Sequence, residues 1–269
     1  MKIYILGDSF TDNLFKYEID AIENNQPRSD ENPIYQYVKF LKNQNLPYPL
    51  HFGDYLKLWG HEVINLGKGG CSNNSIYHQF TQIKEPFDRI IINWTGLARF
   101  DWYFPKSNFR TFTGGFGVGT KLTPFDEFLL EQGHNRQFNK TLSSETIDFI
   151  SFFVDTYKEK KPIIWSPFIR DEIKNLKGFF WHVKDDYFKD IIPEWSKLEI
   201  FNEVNGKIND SHYGRYGNFY TALIFNTILE HTKDNEHDGY YIKDSILISK
   251  IIENIKTAQH NIIEINHSI

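Results

Sequence analysis

The run Ile3-Tyr4-Ile5-Leu6, halted by Gly7-Asp8-Ser9-Phe10, constrains this chain more than any other stretch. A short apolar run that ends at a tight turn reads as a buried parallel strand presenting a serine at its carboxyl edge. The pattern recurs. His61-Glu62-Val63-Ile64-Asn65-Leu66 leads into the turn Gly67-Lys68-Gly69-Gly70, residues 87–94 have the β-branched density of a central parallel strand, and residues 162–166 read as a fourth. Helical spacing predicts helices over 50–59, 75–83, 144–160 and 219–229, the third capped by Ser143 or Ser144. Strands alternating with helices imply an α/β domain of three layers, α/β/α, around a central parallel sheet. A possible fifth strand is read at Leu198-Glu199-Ile200-Phe201.

One domain is expected over residues 1–269, with long loop insertions at about 12–48 and 100–143 and an extra helix at about 243–258. Pro27, Pro33, Pro47 and Pro49 prevent the first insertion from being one helix, and only 35–42 reads as a short helical piece. The 30 basic residues are scattered against 35 acidic ones, so nucleic acid and anionic membrane are not expected as main partners. The single cysteine, Cys71, cannot form an internal disulfide, no zinc spacing occurs, and neither metal nor cofactor is expected. The apolar run after Lys2 is too short for a signal peptide and no segment reaches the length of a membrane span, so a cytoplasmic chain is expected. Residues 114–121 superficially resemble a phosphate loop, but Thr120 stands where a lysine is needed.

A serine hydroxyl is a poor nucleophile unless a base takes its proton and donors stabilise the oxyanion. Ser9 alone can equally be a helix cap, and a single His212 a hydrogen-bonded structural residue. Taken together the motifs say more. Gly7-Asp8-Ser9-Phe10, the turn Asn65-Leu66-Gly67-Lys68-Gly69-Gly70 and Asp210-Ser211-His212 fall in the order and spacing of the SGNH/GDSL hydrolase family, which the chain resembles over about its first four-fifths. The resemblance implies a flavodoxin-like sheet and a catalytic triad of Ser9 as nucleophile, His212 as base and Asp210 as its orienting acid. It also implies an oxyanion hole from the backbone N–H groups of Ser9 and Gly70.

Two blocks depart from the family pattern. The asparagine of a Gly-X-Asn motif is replaced within Asn93-Trp94-Thr95-Gly96, where Thr95, Asn93 or the Gly96 amide can take its place, Thr95 being the candidate named for the oxyanion hole while the sequence leaves the three open. The acid stands two rather than three residues before the histidine, a spacing that sugar acetyltransferases of the wider superfamily share. Arg99 and Trp102 are candidate substrate contacts, the arginine for an anionic group and the indole for a sugar face, although Phe100 and Trp102 can equally anchor the insertion to the core. The expected function is hydrolysis of an acyl ester, most simply acetyl, on a small-molecule or glycan substrate. The alternatives are an O-acyltransferase using the same site and a non-catalytic glycan-binding or assembly module on a degenerate hydrolase scaffold. The 17% aromatic content fits sugar platforms and core packing alike.

Overall fold

A computed structural model describes residues 1–95, 99–104, 108–113, 136–167, 170–233 and 237–258. In chain order the elements are β1 (Lys2–Leu6), α1 (Leu14–Glu23), α2 (Pro33–Asn43), α3 (Phe52–Leu58), β2 (Glu62–Asn65), α4 (Asn73–Thr81) and β3 (Arg89–Asn93). The hairpin strands β4 (Arg99–Phe104) and β5 (Asn108–Thr113) follow, then α5 (Arg136–Thr156), β6 (Ile163–Trp165), α6 (Arg170–Ile173), α7 (Ile200–Glu203), α8 (Arg215–His231) and α9 (Ser245–Ala258).

The fold is α/β. A parallel sheet of order β2-β1-β3-β6 is flanked by helices in a flavodoxin-like three-layer arrangement. Strand alternation divides the core. Ile3, Ile5 and Ile91 face Phe52, Leu56, Phe225 and Ile251, from α3, α8 and α9, whereas Tyr4, Leu6 and Ile92 face Ile76 of α4 and Phe153 of α5. Near-continuous apolar strands are what a sheet covered on both faces requires. Because β1 has β2 on one side and β3 on the other, with connections leaving in opposite directions, the carboxyl end of β1 is a topological switch point, where such sheets bind ligands. Among the described residues no helix is long and apolar enough to cross a membrane.

Three features differ from expectation. The first insertion holds α1 as well as α2: Phe15, Ile19 and Ile22 recur at helical spacing, and they join Tyr37, Val38 and Leu41 in a satellite core. Helix α5 begins at Arg136, ahead of the predicted caps at Ser143 and Ser144. Leu198 to Phe201 is not a strand. The place beside β6 is taken by extended chain around Phe179, bridged to Ile164, with Ile164 N–H donating to Gly178 O at 2.7 Å and Phe180 N–H to Ile164 O at 2.8 Å. Apolar content gave the 198–201 segment its strand character, and packing of Ile200 into the satellite core gives it a helical turn instead. The phosphate-loop-like residues 114–121 lie outside the described residues.

A buried ion pair ties the insertion to the rest. Glu203 of α7 receives Arg215 Nε at 2.6 Å, the Arg215 backbone N–H at 3.0 Å and the Tyr37 hydroxyl at 2.6 Å. The Glu203 side chain is 4% exposed. Removing one partner of such a pair leaves uncompensated charge. Glu203→Ala is expected to lower the unfolding free energy by about 3 kcal/mol, read by urea denaturation, whereas a change below about 1 kcal/mol would show that the network is not a structural anchor.

Candidate active site

The turn after β1 is fixed by its own residues. Asp8 is fully buried; its Oδ1 accepts from Phe10 N–H at 3.0 Å, and its carbonyl accepts from the N–H groups of Thr11 and Asp12, both at 3.0 Å. Gln79 of α4 clamps Gly7 at both ends of the residue: Gly7 N–H donates to Oε1 and Nε2 donates to Gly7 O, each at 2.9 Å. Ser9 is left half-buried at the carboxyl edge of β1, and its N–H donates to no acceptor among the described residues.

The glycine turn after β2 closes against this segment. Asn65 donates to Thr11 O and accepts from Gly67 N–H at 2.9 Å, while Gly69 N–H donates to Asp12 Oδ2 at 2.9 Å. A methyl group at Gly67 would lie 2.8 Å from the Thr11 carbonyl carbon, so only glycine permits this approach. A methyl at Gly69 would come 3.7 Å from Ser9 Cβ, which sets the turn beside the serine. Gly70 has φ +78° and an exposed backbone, and its N–H also has no acceptor among the described residues.

Asp210 and His212 form a couple. His212 Nδ1 and Asp210 Oδ1 are 2.8 Å apart, and the His212 backbone N–H donates to the same oxygen at 2.7 Å. With Nδ1 as the proton carrier, Nε2 is left as the acceptor. It is buried and has no hydrogen-bond partner among the described residues. His212 and Ser9 line one recess of about 10 Å³, whose walls also include Phe10, Asp12, His51 and Tyr213. No hydrogen bond joins Ser9 Oγ to Nε2. Such bonds are commonly long without substrate and tighten in the complex.

The loop that carries the couple is held by the segment expected to be a fifth strand. Ile200 N–H donates to His212 O and Phe201 N–H to Asp210 O, both at 2.9 Å, and Gly214 N–H returns a bond to Leu198 O at 2.9 Å. Asn218 of α8 joins loop, helix and α3: Oδ1 accepts from Phe52 N–H at 3.0 Å, and Nδ2 donates to Tyr213 O at 3.1 Å and Gly214 O at 3.0 Å. Beneath, Phe10 packs on His212 with ring centroids 5.0 Å apart, and Trp165 stacks on His182, whose Nε2 bonds the Tyr213 hydroxyl. Apart from Tyr213, Gly214 and Asn218, these supports stand far from His212 in sequence, and pattern alone did not connect them to it.

The third block is more constrained than its sequence suggests. Thr95 N–H donates to Asn73 Oδ1 at 2.9 Å and Asn73 Nδ2 donates to Thr95 O at 3.3 Å, so the Thr95 amide is engaged and only its hydroxyl is open. That hydroxyl is buried without a partner among the described residues, as are both polar atoms of the Asn93 side chain, whose Cβ packs against Gly7. Gly96 lies outside the described residues. Arg99 and Trp102 fall on β4, opposite Thr113 and Arg110 of β5, and their side chains lie outside the described residues.

His51, the cap of α3, is a further member of the recess that sequence reading passed over. It is 3% exposed, and burial pushes its imidazole down to about 4, with Asp54 and the Phe10 backbone pulling the other way. The folded chain therefore refuses a proton that the unfolded chain accepts from about pH 6.5 downward. Stability contributed by neutral His51 is full above that value and is lost as pH falls toward the folded pKa. His51→Gln is expected to lose less of its urea midpoint than the wild type between pH 7 and about pH 4.5; equal losses would assign the acid sensitivity to other groups.

No protein-family model and no curated protein matches the chain. Among solved structures, the chain is similar to an acetyl xylan esterase, AlAXEase, at 13% identity, covering 86% of this chain and 100% of that one with a TM-score of 0.37. That likeness is too slight to assign a family or an activity to this chain.

Proposed function

We propose that the chain is a serine-dependent carboxylic ester hydrolase of SGNH/GDSL type, removing an acyl group, most simply acetyl, from a carbohydrate-like substrate. The observation that carries this reading is the Asp210–His212 couple, whose Nε2 has no hydrogen-bond partner among the described residues and whose histidine lines the same recess as Ser9. In the proposed reaction Nε2 takes the Ser9 Oγ proton as Oγ attacks the acyl carbon, and Asp210 stabilises the imidazolium. Collapse of the tetrahedral intermediate expels the alcohol, which receives the proton from Nε2. Water then repeats the sequence on acyl-Ser9, releasing the carboxylic acid and the serine. The N–H groups of Ser9 and Gly70 are the proposed oxyanion donors, with the Thr95 hydroxyl as the third, or Asn93 Nδ2 in its place. Arg99 and Trp102 are proposed contacts for the substrate beyond the ester.

The test is labelling with a serine-reactive fluorophosphonate, read by intact mass and peptide mapping. One adduct on Ser9, absent in Ser9→Ala and reduced in His212→Ala, is the expected result; a protein unlabelled at Ser9 under conditions that label a known serine esterase would overturn the proposal. Thr95→Val and Asn93→Ala separate the third donor: loss of the true one should lower kcat on 4-nitrophenyl acetate by about 10²- to 10³-fold.

A further inference from the structure

A groove of about 480 Å³ adjoins the Ser9 recess, sharing Asp12 and His51 in its walls. One wall is a face of α1 and the residue before it: Asn13, Lys16, Tyr17 and Asp20 stand at i, i+3, i+4 and i+7, while Phe15 and Ile22 are buried on the opposite side. The other wall is α3, which offers Asp54 and Lys57. Carboxyl-end residues of β2 and its turn, Asn65 and Gly67, form part of the floor. Two helices thus turn polar faces toward one another across open space.

The chemistry of the walls points to one class of ligand. Among the described residues the charges nearly balance, with Asp12, Asp20 and Asp54 against Lys16 and Lys57, which gives little preference for an ionic ligand. Acceptors and donors are interspersed, as a ligand whose neighbouring hydroxyls both donate and accept requires. Asp54 is already oriented by Asn13 Nδ2 at 2.7 Å and Lys57 at 3.2 Å, whereas the side chains of Lys16, Tyr17 and Asp20 make no hydrogen bond or ion pair with any described residue. Tyr17 is 63% exposed, leaving its ring open to the apolar face of a sugar. The volume lies within the roughly 300–1,000 Å³ of small-molecule sites.

We propose that this groove binds the neutral saccharide part of the ester, placing its acyl group in the Ser9 recess. The assignment rests on the esterase reading for the reaction, and on the groove alone for binding. The experiment therefore has two arms. In the first, the double variant Tyr17→Ala/Asp20→Ala is compared with the wild type on acetylated cellobiose, acetylated xylobiose and 4-nitrophenyl acetate. The ratio of kcat/KM on the saccharide esters to that on 4-nitrophenyl acetate should fall about tenfold, the size of one lost hydrogen bond and ring contact.

In the second arm, Ser9→Ala protein is titrated with unacetylated cellobiose and xylobiose by calorimetry, with and without the same double substitution. Saturable binding that the double variant weakens supports the groove even if no ester is hydrolysed, in which case the esterase reading alone fails. Hydrolysis with an unchanged ratio, binding unaffected by the double variant, or no binding of either disaccharide would each overturn the groove assignment.

Discussion

The backbone at Gly7 is approached so closely that a single added carbon has nowhere to go: a methyl there would lie 2.6 Å from Thr11 Oγ1 and 2.8 Å from Asn93 Cβ. Gly67 also meets Thr11, through its side chain and its carbonyl carbon, and just as tightly. Through these two contacts the ends of β1, β2 and β3 converge on one short turn, and the position of Ser9 relative to the glycine turn follows. Close packing of this kind transmits displacement instead of absorbing it. The side-chain clamps from Gln79, Asn65 and Asp8 then satisfy the backbone groups that the turn removes from water. The candidate nucleophile is thus held by main chain and amides rather than by a flexible loop.

Much of this was legible in the sequence because strands of a doubly covered sheet announce themselves as apolar runs, and because glycine is the residue that close approach demands. The segments around Ser9 and Gly67 were readable for that reason, whereas the Asp210–His212 pair was legible only through the resemblance of its motif to a known family. What was not readable depended on distant partners. Helix α1 was hidden at the start of a polar stretch that prolines interrupt from Pro27 onward, and its apolar residues serve a satellite core and not the main one. Leu198 to Phe201 has strand-like composition, yet Gly178 to Phe180 occupies the edge of β6. No local rule assigns that edge to one segment over another.

The third block shows a different limit. Thr95 was readable as a donor, but the bond of its amide to Asn73 was not, and that bond decides which of its two donors is open. His51 was missed because it fell within the helix expected over 50–59, whereas it caps that helix: Nδ1 accepts from Gly53 N–H at 3.1 Å. Its burial beside Phe10 is a property of the fold, not of its neighbours in the chain.

The acid and base of the candidate triad are next-but-one neighbours on a single loop, and the serine lies two hundred residues away. Bringing an acid to its imidazole usually requires closing a long loop, whose entropy must be met by folding. Here almost no chain separates the two, and the His212 N–H shares the oxygen that orients the ring. In the proposed reaction, motion between β1 and this loop would alter the distance from Ser9 to His212 while the Asp210–His212 pairing stays in place. Proton transfer would then be the step open to gating, rather than orientation of the imidazole.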